Sequence, residues 1–222
     1  TDAMASSNRI PPNVDAKSAS LLERAYQLSG DADTHDLYRD WAETYDRTML
    51  DGLGYLSPRL VSALLAEHVA DKSGPVLDVG AGTGLAGQQL ADLGFTLIDA
   101  IDYSADMLAV AAQRNIYRHL VEADLTRPLE FPDATYAAAV CTGTFTHGHV
   151  GPSCLTELFR IIAPGGLFAF SINAGVWAEA GFETELHRLE QAGTARLLTR
   201  RAGANYQTSS GNDSWLNLYE RQ

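Results

Sequence analysis

The sequence predicts an α/β fold, a mostly parallel sheet covered by helices on both faces. Short apolar runs alternate with helical patterns from residue 75 onward. The first run ends in glycines at positions 80, 82 and 84. Capping residues bracket the helical segments, Ser at their starts and Gly past their ends. Strand and helix in alternation imply parallel strands joined by crossover helices.

Ahead of the alternation, Leu21, Leu22, Ala25 and Leu28 mark a helical stripe from Ala16, ended by Gly30. A second helix is expected from about His35 to Leu50. A third begins at Ser57, read as N-cap, with Pro58 at the first helical position. Then come a strand at 75–80, a helix at Leu85–Leu93 stopped by Gly94, and a strand at 95–102. A helix at Ser104–Arg114 with a Ser N-cap follows, then strands at Tyr117–Ala123 and 135–141. A helix at Pro152–Ile162 ends before Pro164-Gly165-Gly166 and leads to a strand at 166–172. A helix at 178–192 precedes closing strands at Ala195–Ala202 and Ser214–Glu220. The loop between those two is too short for a crossover, so they pair antiparallel at one edge. No internal repeat or low-complexity tract interrupts the pattern.

The organisation expected is a disordered tail over 1–16 and one domain over 17–222, with N-terminal helices at 17–70 and a core at 75–222. With 16 Lys and Arg against 28 Asp and Glu, the formal net charge is −12. That balance opposes nucleic acid and anionic membrane surfaces, although Arg196, Arg200 and Arg201 lie close together in sequence. Cys141 and Cys154 sit in apolar surroundings without a CxxC spacing and read as reduced and buried. No run reaches the roughly 18–20 apolar residues of a membrane span. The opening TDAMASSN lacks a signal peptide's apolar centre, with Met4 read as the natural start. A cytoplasmic enzyme is the expectation.

The glycine turn VLDVGAGTG (76–84) is the most informative segment. Glycine at alternate positions lets backbone approach a ligand without a Cβ in the way, and strand ends are where open α/β sheets hold nucleotide-like ligands. A dinucleotide fingerprint is GxGxxG; here the sixth position from Gly80 is Leu85. The pattern is D-x-G-x-G-x-G, led by Asp78. A carboxylate beside the turn suits a ligand with a positive end and suits pyrophosphate badly. S-adenosylmethionine carries a sulfonium and an ammonium and no phosphate, and Gly80, Ala81 and Gly82 are its expected backbone contacts.

Further positions match that ligand. Asp102 ends the second strand and suits the ribose hydroxyls; as an alternative it stabilises the N-terminus of the following helix. Asp124 in EADL suits an adenine amino group, with the Leu125 N–H meeting a ring nitrogen; the alternative is a solvated turn residue. Tyr103 and Met107 are placed to flank the adenine, and a Met at helical spacing equally suits core. Cys141 and Thr142 border the cofactor at the end of the fourth strand. His147 is the candidate general base, with His149 beside it; for each, a surface-loop imidazole without a role is the alternative. Asn173, Trp177 and Glu179 are candidate acceptor-wall residues. His147 and His149 without a third ligand do not make a metal site.

VLDVGAGTGLAG, IDYSADML, EADL and LFRIIAPGGLFAFS resemble the successive motifs of class I S-adenosylmethionine-dependent methyltransferases, in order from about residue 36 to 173. The resemblance implies a Rossmann-like seven-stranded sheet of order 3-2-1-4-5-7-6, with strand 7 antiparallel. LYRDWAETYDRTML (37–50) is similar to the block ahead of the glycine turn in methyltransferase-like proteins of the Williams–Beuren region. By that resemblance Tyr38, Trp41 and Tyr45 line a lid over the methionine end of the cofactor. Aromatic core packing is the alternative for this helical face. The resemblance implies methyl transfer, with a small-molecule acceptor favoured over nucleic acid. A non-catalytic S-adenosylmethionine-binding module and a nicotinamide-dependent oxidoreductase are the competing readings.

Overall fold

The computed structural model describes residues 16–27, 36, 37, 39, 41, 42, 44–52 and 54–222. The expected tail, through residue 15, lies outside them, as does Tyr38. Seven strands form one sheet: β1 (Val76–Val79), β2 (Ile98–Asp102), β3 (Tyr117–Glu122), β4 (Tyr136–Phe145), β5 (Ile162–Asn173), β6 (Ala195–Gly203) and β7 (Ser214–Arg221). Their spatial order is β3-β2-β1-β4-β5-β7-β6. β7 runs antiparallel to both its neighbours, and the other pairings are parallel. The expected order and the antiparallel edge are both present.

Successive strand residues face opposite sides of a sheet, and here both sides are apolar. Val76, Ala138, Val140 and Ala169 join one buried cluster. It takes in α2 (Ser57–Ala66) and α3 (Leu85–Asp92) through Val61, Leu64, Leu65, Ala86 and Leu90. Their neighbours Leu77, Ala139, Cys141, Phe168 and Phe170 join the other. That cluster includes α5 (Leu155–Ile161) and α6 (Phe182–Gln191) through Leu158, Phe159, Leu186 and Leu189. On the face of the first cluster, α4 (Ala105–Ala112) covers β2 and β3, with Leu108 against Ala100. Both cysteines are free thiols buried in the second cluster.

The N-terminal segment opens with α1 (Ala16–Tyr26). Asp36, Leu37, Arg39, Trp41, Tyr45 and Asp46 are helical, and a π-helical turn follows at Arg47–Gly52. Leu21, Leu37, Trp41 and Met49 bury themselves against Leu85 of α3 and Tyr206 of the β6–β7 loop.

Several element ends differ from expectation, each for a local reason. Ser57 lies inside α2, and Leu56 is the N-cap without a side-chain bond. The Ser57 hydroxyl instead donates to Asn205 Oδ1 at 3.1 Å, so a tertiary bond replaces a cap. β4 continues to Phe145, past Gly143 at φ +70°, and its register against β5 shifts there. The expected loop after residue 141 therefore begins as strand. Pro164-Gly165-Gly166 is absorbed into the irregular start of β5. α6 begins only after Gly181, whose φ of +86° is left-handed. Arg196 pairs with Glu220, and Arg200 bonds Asn217 and lies over Trp177.

Asp78 joins three elements. Its Oδ2 accepts the Gly87 N–H of α3 at 3.0 Å and the Tyr117 hydroxyl of β3 at 2.6 Å. Gly84, the N-cap of α3, has no side chain to offer, so Asp78 satisfies a helix N-terminal donor from the neighbouring strand. Burial pushes the Asp78 carboxyl up to about 7, while the Tyr117 and Gly87 bonds pull it down. An acid whose pKa is higher folded than unfolded keeps its full contribution at low pH and loses it as pH rises from the unfolded value through the folded one. Asp78→Asn keeps an acceptor oxygen but cannot ionise. The stability of the natural protein minus that of Asp78→Asn is therefore expected to fall between about pH 4 and 7. Urea unfolding across that range checks it; a constant difference contradicts it.

Candidate functional site

The glycine turn joins the carboxyl end of β1 to α3, and each glycine there has a separate reason. Gly80, Gly82 and Gly84 all have positive φ, +62°, +56° and +90°. A Cβ on Gly80 would collide with the Thr144 side chain, so this glycine admits the end of β4. A Cβ on Gly82 would meet nothing within 4 Å, and Gly82 lines an open cleft. Gly84 turns the chain into the helix.

That cleft, with a cavity volume of about 170 Å³, lies along the carboxyl edge of the sheet. Gly80 and Gly82 meet Asp102, Tyr103 and Met107 there. Asp124, Leu125 and Thr126 extend it beyond β3, and Thr142, Gly143 and Thr144 of β4 close it from the other side. Tyr45 and the loop Gly148–Gly151 complete its wall. Asp102 is held at both oxygens, Oδ2 by the Gly82 N–H and Oδ1 by the Ser104 N–H, each at 2.8 Å. These two bonds fix the orientation of the carboxylate at the wall of the cleft. Ser104 caps α4 by accepting the Met107 N–H at 3.2 Å. Asp124 Oδ1 accepts the Thr126 hydroxyl at 2.6 Å and its N–H at 2.9 Å. The Thr126 hydroxyl bond holds the Asp124 carboxyl below its usual range.

A second cavity of about 70 Å³ adjoins the first and shares Gly143 and His149 with it. Its walls come from the N-terminal segment (Trp41, Met49), the start of α2 (Ser57), β5 (Ser171, Asn173) and the β6–β7 region (Asn205, Tyr206, Ser214). Burial lowers the His149 pKa to about 4, so its imidazole is neutral at physiological pH.

The residues singled out from sequence therefore separate. Tyr45, Gly80, Gly82, Asp102, Tyr103, Met107, Asp124, Leu125 and Thr142 share the cleft. Asp78, Ala81, Cys141 and Trp41 do not line it. Asp78 is committed to Gly87 and Tyr117. Ala81 packs with Ala100 and Leu108, and its N–H bonds the Ile101 carbonyl. Cys141 points into the core, where desolvation raises its thiol pKa well above normal. Trp41 meets Tyr45 edge to face and borders the second cavity. His147 lines neither cavity and packs against Gly175; His149, two residues on, borders both. The turn at Gly148, φ +69°, separates the two imidazoles. Of the acceptor-wall candidates, Asn173 lines the second cavity, Trp177 stacks under Arg200, and Glu179 is exposed. Among the described residues no group of His, Cys, Asp and Glu is arranged to hold a metal ion.

Sequence reasoning missed a link between the N-terminal segment and the glycine turn. Asp46, beside Tyr45, accepts the Thr83 hydroxyl and pairs with the Arg114 guanidinium. Arg114 Nε also donates to the Thr83 carbonyl at 2.7 Å. Asp46 falls in the segment 37–50, but nothing in the sequence pattern marks Arg114, which lies 68 residues away.

A profile of the methyltransferase domain family matches residues 76–166. Human methyltransferase-like protein 27 is 32% identical over 162 residues, 70% of this chain and 65% of that protein. The demethylmenaquinone methyltransferase of Beutenbergia cavernae is 33% identical over 155 residues, 67% of this chain and 62% of that protein. The chain thus spans a little under two thirds of the length of these relatives. Among solved structures, the [4+2]-cyclase SpnF superposes with a TM-score of 0.65 at 17% identity, over 87% of this chain and 97% of that one. Sheet order, glycine turn and relatives agree: the chain belongs to the class I S-adenosylmethionine-dependent methyltransferases.

Proposed function

We propose that this chain binds S-adenosylmethionine in the glycine-floored cleft and transfers its methyl group to a small-molecule acceptor. The observation that carries this is the pairing of Gly82 with Asp102. A side chain at Gly82 would project into the cleft, and Asp102 is already bonded to the Gly82 N–H. A carboxylate there suits ribose hydroxyls and repels a phosphate. The bound cofactor supplies a methyl carbon activated by its sulfonium.

The chain's own residues bind and orient. Asp102 would take the ribose, Asp124 and Leu125 the adenine edge, and Tyr103 and Met107 its faces. Tyr45, with Asp46 latched to Thr83 and Arg114, would hold the lid over the cleft, so that 17–70 and 75–222 work as one unit. Alignment of the reacting groups in such a site contributes roughly 7–11 kcal/mol. His149, neutral and bordering both cavities, would accept the acceptor's proton; His147 borders neither cavity.

The small-molecule acceptor is supported by the demethylmenaquinone named for one relative and by the net charge of −12, which disfavours nucleic acid. Two buried free thiols fit a reducing, cytoplasmic setting. No described helix is long and apolar enough to cross a membrane. A second reading, cofactor binding without methyl transfer, is favoured by the likeness to a protein named as a cyclase, because a fold does not by itself fix a reaction.

Calorimetry with S-adenosylhomocysteine tests the cofactor, and methyl turnover then separates the two readings. Asp102→Ala is expected to weaken binding by roughly 1–3 kcal/mol; wild-type affinity would remove Asp102 from the ribose. Asp46→Asn should weaken it by about 1 kcal/mol through the lid, the scale of a partly exposed ion pair. It should also speed proteolysis of the N-terminal segment in the bound state, and an unchanged digestion rate would argue against the latch. His149→Ala should abolish turnover while leaving cofactor affinity within about threefold, less than 1 kcal/mol. His147→Ala should spare both, and a His147→Ala enzyme without turnover would restore that residue to the site.

A further inference from the structure

The geometry points to the second cavity as the acceptor chamber, built to take an uncharged end group that presents oxygen lone pairs: a hydroxyl, whose oxygen bonds the methyl carbon as the carbon–sulfur bond breaks and whose proton passes to His149. This rests on the cofactor reading above and adds a substrate class to it. Contiguity is the first ground. The cavity meets the cofactor cleft at Gly143 and His149, at the carboxyl end of β4. A Cβ on Gly143 would crowd the Tyr55 hydroxyl, so glycine keeps this junction open.

The polarity of the walls is the second ground. Asn173 and Asn205 both line the chamber, and both have their amide oxygens already taken. Asn173 Oδ1 accepts the Gly175 N–H at 2.8 Å. A backbone N–H can only donate, which fixes the orientation of this amide. Asn205 Oδ1 accepts the hydroxyls of Ser214 at 2.7 Å and Ser57 at 3.1 Å. With their oxygens committed, both amides have amino groups, two donors each, to offer a ligand. The chamber is therefore donor-rich, and the matching ligand atoms are acceptors.

Charge is the third ground. Among the described residues no Lys, Arg, Asp or Glu lines the chamber. The nearby Asp213 is buried, and its Oδ2 accepts the Asn205 backbone N–H at 2.8 Å. An anion placed here would be desolvated without a counter-charge, which is costly. Trp41, Met49 and Phe145 supply an apolar wall. At about 70 Å³ the space suits the reacting end of an acceptor.

Acetamide and acetate share shape and differ in charge, so they make a matched pair of probes. The experiment titrates each at neutral pH into 15N-labelled full chain carrying S-adenosylhomocysteine, following the side-chain amide signals of Asn173 and Asn205. Acetamide is expected to give saturable shifts at both, with acetate at least roughly tenfold weaker. Asn173→Asp, which keeps the bond to Gly175 and loses the donors, should weaken acetamide at Asn205 severalfold while leaving S-adenosylhomocysteine affinity unchanged. Acetate binding as well as acetamide, or no saturable shift with either, overturns the assignment. If S-adenosylhomocysteine leaves the Gly82 amide signal unmoved while acetamide still shifts the asparagines, the cofactor reading falls and the chamber's preference for neutral groups stands.

Discussion

Asp78 sits where β1, β3 and α3 converge, almost without contact with solvent. Its carboxyl satisfies a helix N–H that Gly84 cannot cap and a tyrosine hydroxyl that would otherwise be buried. A buried polar group without a partner costs more than a made hydrogen bond returns, so these contacts constrain one another. Gly87 belongs to the same constraint, since a Cβ there would collide with Tyr117. With α3 held against β3 in this way, the turn between β1 and α3 has one path, and that path puts Gly82 in the cleft. The acid that leads the glycine motif acts behind the turn, and Asp102, at the end of β2, lines the cleft.

The same logic of committed groups runs through the rest of the site. Asp102 spends two bonds on backbone N–H groups before any ligand arrives, and Asp124 spends two on Thr126. Carboxylates held this way need no reorganisation when a ligand binds, which is how preorganised sites keep their affinity. The chamber beyond Gly143 uses amides in the same manner. The result is a division of polarity: carboxylates along the first cleft, neutral donors in the second cavity, and a neutral imidazole between them.

Local regularity made much of this legible in the sequence. The alternation of strands and helices, the Ser104 cap and the glycine spacing each depend on residues within a few positions of one another. The antiparallel edge followed from the length of a single loop. Ser57 shows where such reasoning stops. Its position before Pro58 is a sound capping signal, yet its hydroxyl reaches Asn205, 148 residues away. His147 and His149 are equivalent as sequence, and the left-handed turn at Gly148 decides which one meets the cavities.

The chain's own letters determined the sheet, its order through family resemblance, the glycine turn at the end of β1 and the acids at and just past the ends of β2 and β3. Periodicity, capping and motif spacing are properties of neighbouring residues, so they survive in a linear reading. Only the tertiary structure decided that Asp78 is internal scaffolding, that Asp46 latches onto Thr83 and Arg114, and that Asn173 and Asn205 share a chamber. Those facts depend on which distant segments meet and on which lone pairs are spent when they do, and no spacing rule along the chain encodes either.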